Sequence, residues 1–229
     1  MGVPELAKPR QNGTTRLIEF ALCDIIYTVD LIKGEIRVMF DDNDLEVKEA
    51  LPDYERLYTV EEYYNIREDI RAELYEGYLV VMQRPSFRHQ AIQMEISAQL
   101  HTFLKGKTCK VFPTLGARLF ENEATIFEPD IVVICDKNKL TKQNCNGAPD
   151  FVIEILSPST VRMDRKLKFD KYQRAGVKEY WIVDPDRNLL EVNLLVNDKY
   201  MTSIYNETDK APVSILDGFE IDLAEVFAE

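Results

Sequence analysis

The stretch from Ile126 to Pro185 constrains this chain most. It reads as strand, loop, strand, helix, strand, and its apolar runs IVVI and FVIEIL carry charge only at chosen places. A strand that is apolar on both faces lies inside a sheet covered on both sides. Asp130 opens the first run and Glu154 interrupts the second. A carboxylate in such a strand loses hydration, so it needs a cation, a donor or a proton to persist. Two of them on neighbouring strands could hold a divalent metal between them.

At 229 residues the chain can bury one substantial core with an appendage. No apolar run approaches the ~20 residues needed to span a bilayer. The opening MGVPELAKPRQNG lacks the apolar centre of a secretory signal, which favours a cytoplasmic protein. Cys23, Cys109, Cys135 and Cys145 form no CxxC pair and read as reduced, partly buried thiols. The net charge of −12 argues against binding a polyanion by non-specific phosphate contacts, unless positive charge is gathered locally.

Residues 14–40 carry hairpin patterning, with a turn at Lys33-Gly34 and an apolar face of Ile36, Val38 and Phe40. An isolated hairpin is marginal in water, so this segment is expected to dock on the core or on a second subunit. The acidic stretch 41–55 reads as a linker, which divides the chain into an extension, 1–57, and a main domain, 58–229. Thr59 to Glu62 spells a capping box, and Glu73 to Met82 a strand pair around Gly77. Ser86 can cap a helix from Phe87 to about Leu104 with one core face, Ile92, Ile96 and Leu100; His89 sits at its edge. A second helix, about Val161 to Ala175, aligns Asp164, Lys168 and Tyr172. A hairpin turning at Asn197-Asp198 and a final strand with half a turn of helix close the chain.

Each candidate residue has a plain structural use. Asp130 can simply start a strand, Glu73 can flank one, and His89 can pack at a helix start. Asp164 and Lys168 suit a solvated i, i+4 pair worth ~0.3–0.5 kcal/mol. Asp184 before Pro185 fits a turn. Glu154 is the hardest to explain structurally, because its apolar strand offers no partner. Taken together, two carboxylates with a lysine beside them suit metal-assisted phosphodiester hydrolysis.

The motifs EPDIVVICDKNKL, GAPDFVIEILSPST, Asp164-x3-Lys168-x3-Tyr172 and AGVKEYWIVDP resemble the small bacterial restriction-endonuclease-like family of the PD-(D/E)XK nuclease superfamily. The resemblance runs from near Tyr58 to the final EVF. It implies an α/β class with a mixed α+β sheet: an αβββαβ core with extra N-terminal and C-terminal strands, commonly as a homodimer. Pro129-Asp130 matches the PD, and Glu154 matches the D/E. The usual lysine position falls on Leu156, so the lysine is expected on the next helix, at Lys168 or Lys166. Glu73 and His89 match further polar positions near the pocket. The implied activity is an Mg2+- or Mn2+-dependent endodeoxyribonuclease. Asp130, Glu154, Lys168, Glu73 and His89 would be catalytic, with Asp130, Glu154 and the carbonyl of Ile155 as metal ligands. The alternative is a catalytically inactive nuclease fold kept for binding or assembly.

Overall fold

The computed structural model describes the backbone of 17–22, 25–32 and 35–39, and the complete residues 56–66, 70–158 and 160–228. The chain divides into two compact units, Met1–Arg56 and Leu57–Glu229. In the first, β1 (Leu17–Leu22), β2 (Ile25–Ile32) and β3 (Glu35–Met39) form an antiparallel sheet in the order β1-β2-β3. The hairpin patterning read in 14–40 is thus realised as two successive hairpins. The side chains of Ile36 and Val38, like all of Phe40 and the 41–55 stretch, lie outside the described residues.

The second unit starts with α1 (Val60–Tyr64), whose capping box closes as its sequence predicts: Thr59 N–H donates to Glu62 and Glu62 N–H to Thr59. A hairpin, β4 (Ala72–Tyr75) and β5 (Tyr78–Val81), turns through Glu76 and Gly77, both at positive φ. Then come α2 (Phe87–Leu104), β6 (Lys110–Pro113), β7 (Gly116–Arg118), β8 (Ile126–Phe127), β9 (Ile131–Ile134), β10 (Asn144–Asn146) and β11 (Phe151–Ile155). A π-helical turn, Met163–Lys168, runs directly into α3 (Phe169–Ala175). β12 (Glu179–Asp184), β13 (Leu189–Val196), β14 (Lys199–Asn206), β15 (Lys210–Pro212), β16 (Glu220–Asp222) and α4 (Leu223–Val226) complete the chain.

The central sheet has the order β14-β13-β12-β11-β9-β6, with β11 and β12 parallel and its other pairs antiparallel. The elements α2, β6, β9, β11, α3 and β12 make up the αβββαβ core, and α3 is the crossover between the two parallel strands. A second sheet, β10-β7-β8-β4-β5, stands beside it. Alternation along β9 and β11 divides the interior. Ile131, Val133, Phe151 and Ile153 meet α2 through Ile92, Ile96, Leu100 and Leu104. Val132, Ile134 and Val152 face Tyr172, Tyr180 and Phe127 on the other side. Truncating any of these Ile or Leu side chains to Ala would cost about 2–5 kcal/mol.

Two expectations are corrected. Cys109 and Cys135 are joined in a disulfide, not kept as separate thiols. Lys110 pairs with Ile134 across β6 and β9, so the flanking cysteines stand opposite each other on adjacent strands, a proximity that no spacing rule reveals. The segment 161–175 is also not one α-helix: its first part is wound wider, as a π-helical turn. Such turns recur at functional sites. Among the described residues no helix is long and apolar enough to cross a membrane.

Candidate active site

The site starts from the register of β9 and β11. Ile131 pairs with Ile153, and one step further along Asp130 comes opposite Glu154. Directly opposed residues of an antiparallel pair share a face, with Cβ atoms about 5 Å apart. Both belong to the face under the π-helical turn and α3. Asp130 Oδ2 accepts a 2.8 Å hydrogen bond from the Ile155 N–H and stands 3.2 Å from His89 Nε2. The backbone oxygen of Asp130 accepts from Gln93 Nε2 at 2.7 Å and from the Thr114 N–H at 3.0 Å. His89 is placed by the first turn of α2, where Ser86 Oγ accepts its N–H.

Lys168 enters from the other direction. Its ammonium lies 2.8 Å from Glu73 Oε1, 3.0 Å from Glu154 Oε1 and 3.3 Å from Asp164 Oδ1. Glu73 comes from β4 of the second sheet and also accepts the Glu128 N–H at 2.8 Å. Tyr172 OH donates to Glu154 Oε1 at 2.8 Å. Glu73, Glu154, Asp164 and Lys168 are all at most 3% exposed. The pair expected to be solvated, Asp164 and Lys168, is therefore buried, because β4 carries Glu73 over the helix face that would otherwise meet water. Lys166, the second choice for the displaced lysine, is exposed.

The electrostatics follow from this crowding. Burial pushes the Glu154 carboxyl well above its ordinary range; Lys168 opposes the shift, while Asp164, Asp130 and Glu73 add to it. Burial likewise raises Asp164. For Lys168 burial works against the charge, but Glu154, Glu73 and Asp164 outweigh it and hold the ammonium well above its usual value. Burial beside Glu154 and Glu73 keeps the Tyr172 hydroxyl protonated, so it remains a donor.

Four carboxylates against one lysine leave a surplus of negative charge out of water, which calls for protons or a cation. Asp164 Oδ1, though close to Lys168, lacks a properly angled donor, and His89 Nδ1 also has no hydrogen-bond partner. An all-oxygen donor set with an unsatisfied acceptor fits a hard divalent ion. Among the described residues no group of three or more acidic, His or Cys side chains is poised around one point as a ready-made metal cage. Such an ion would therefore be completed by backbone, water or substrate oxygens, as Mg2+ sites usually are.

His89, Asp130, Glu154, Asp164 and Lys168 line one cleft of ≈ 310 Å³, together with Arg71, Arg84 and Arg88. All five predicted catalytic residues assemble here, since Glu73 touches Lys168 directly. Sequence reasoning did not single out Asp164 as a site residue, nor the three arginines. Asp164 gave only an i, i+4 spacing, which is the same on a solvated face.

A family model with the description "Putative restriction endonuclease" (Uma2) matches residues 51–224. The chain belongs to this family. Among similar proteins, an uncharacterized protein of Synechocystis sp. is 29% identical over 118 residues, 51% of this chain and 62% of that protein's length. A solved structure titled as a "putative nuclease belonging to DUF820", from Anabaena variabilis, superposes with a TM-score of 0.62 at 22% identity, covering 74% of this chain and 97% of that one. The fold of this Uma2 chain is accordingly restriction-endonuclease-like, with mixed sheets in an α+β arrangement.

Proposed function

We propose that this Uma2 protein is an Mg2+- or Mn2+-dependent endodeoxyribonuclease that hydrolyses phosphodiester bonds. The observation that carries the reading is the burial of Glu73, Glu154 and Asp164 around a single ammonium, Lys168, with Asp130 beside Glu154 in the same cleft. A fold does not need surplus buried charge, and keeping it is costly.

Asp130 and Glu154 would hold the metal, with the Ile155 carbonyl as a further oxygen. A divalent cation bound there supplies Lewis acidity toward a phosphoryl oxygen and acidifies water. Lys168 places a fixed positive charge where charge develops on the phosphate. Glu73 anchors that lysine from the second sheet, and Tyr172 fixes one Glu154 oxygen. His89 and the Ile155 N–H fix the orientation of Asp130.

One observation favours a second reading, an inactive fold kept for binding or assembly. The Lys168 ammonium is 1% exposed and hemmed in by three carboxylates at 2.8–3.3 Å, which leaves it little room to hold a water. The two readings separate in one set of assays on the purified protein. Plasmid, single-stranded and branched DNA are incubated with Mg2+, Mn2+ or EDTA, and Mn2+ binding is followed by calorimetry. The nuclease reading expects metal-dependent cleavage that falls at least ~100-fold in Asp130→Asn and Glu154→Gln. Absence of cleavage, or cleavage undiminished in both variants, sinks it.

A further inference from the structure

Arg84, Pro85, Ser86 and Arg88 line the cleft, with Phe87 just outside that lining, and apart from the helix cap none of them has a part in the mechanism above. Phe87 is 86% exposed, more than any other large apolar side chain among the described residues. It is the first residue of α2, so the Ser86-capped helix start fixes its backbone. A lone exposed aromatic needs no explanation. This one stands between two arginines that line the same cleft as Asp130, Glu154 and Lys168.

The arginines are unusual in their partners. Arg88 donates from Nη2 to Asn188 Oδ1 at 2.8 Å and from Nε to the Pro185 carbonyl at 3.3 Å. It is half-buried, and among the described residues it pairs with no carboxylate. The protein has 40 acidic residues against 28 Lys and Arg, so acids were abundant, yet neutral acceptors orient this guanidinium. Its charge is left for an anion from outside. Arg84 is exposed and makes no ion pair among the described residues, and Arg71 reaches only 3.9 Å from Glu128. Guanidinium forks match phosphate geometry better than lysines do.

We propose that this segment is a grip for an unpaired DNA strand: Arg84 and Arg88 hold phosphates on either side of the one entering the cleft, and Phe87 stacks on a base. The inference rests on the nuclease reading and names its substrate class. A duplex offers only base edges in its grooves, so an aromatic face finds a base to stack on only where the strand is unpaired. The floor of the cleft, with Glu154 3% and Asp130 9% exposed, also favours a single strand that can bend inward. The arginine cluster supplies the local positive charge that a net charge of −12 denies to the protein as a whole.

The test uses the full chain in EDTA, with fluorescently labelled single strands and blunt duplexes of the same sequence, read by anisotropy. The grip predicts tighter binding of the single strand. Phe87→Ala weakens it roughly tenfold and leaves duplex binding unchanged, while Phe87→Trp retains it. Arg84→Gln and Arg88→Gln each reduce the slope of log affinity against log salt by about one. Equal binding of both DNAs, or an unaltered Phe87→Ala, overturns the proposal. So does light scattering in which Phe87→Ala turns a dimer into a monomer, because Phe87 with Met94, 70% exposed one heptad on, would then belong to a contact between copies. The two readings fail separately. Single-strand binding with the Phe87 signature but no cleavage rejects the nuclease alone. Metal-dependent cleavage unaffected by Phe87→Ala rejects the grip alone.

Discussion

The ammonium of Lys168 stands 3.0 Å from Glu154 Oε1, although one residue belongs to a π-helical turn and the other to β11 beneath it. The strand position expected to carry the lysine is Leu156, and Lys168 brings its charge to Glu154 from the helix side of the sheet. The wider winding of the π turn brings Asp164 and Lys168 inward together, over Glu154.

Removing that lysine would strand three carboxylates out of water. Lys168→Ala should lower unfolding stability by about 3–5 kcal/mol, the usual result of breaking one side of a buried ion cluster. Added Mn2+ should recover more stability in the variant than in the wild type, because it replaces the missing positive charge. Denaturant titrations in EDTA and in Mn2+ give both numbers. A variant as stable as the wild type in EDTA would show that the cluster is not an ionised one.

Glu179, at the start of β12, gives a pH signature away from the site. Burial raises its carboxyl from 4.5 to about 7, even though Trp181 Nε1 and the Ile215 N–H donate to it. Below pH 4.5 it is protonated in both states and costs nothing. Between 4.5 and 7 the unfolded chain releases a proton that the folded chain keeps. Stability therefore falls as pH rises, by about 1.4 kcal/mol per unit, and levels off above 7. Glu179→Gln should remove this slope, whatever it does to the absolute stability. An unchanged difference between pH 5 and pH 7 would contradict the assignment.

The disulfide between Cys109 and Cys135 closes a loop with a sequence separation of 26, which corresponds to about 3.5 kcal/mol of stabilisation. Reductant should lower the denaturation midpoint of the wild type and leave a Cys109→Ser/Cys135→Ser variant unmoved. Cys145 is buried, and burial pushes its thiol up to about 11. Alkylation of the native, unreduced protein should thus modify none of Cys109, Cys135 and Cys145. Labelling of Cys109 or Cys135 before reduction would refute the bridge.

Local patterns settled much of this molecule. IVVI and FVIEI could only be covered strands, and every residue of both is buried. Thr59 and Ser86 start helices where a capping side chain is available, and the turns at Gly77 and Asn197-Asp198 take the positive φ that those residues tolerate. The isolation of Glu154 in an apolar strand marked the site, because a lone carboxylate there must find its partner elsewhere. Three things depended on tertiary packing alone. Asp164 is buried because Glu73 arrives on another sheet, and i, i+4 spacing is identical on a wet face and a dry one. Cys109 and Cys135 meet because of strand register. The arginines that gather around the cleft were hidden in a net charge of −12, since a sum over the chain carries no information about where its charges lie.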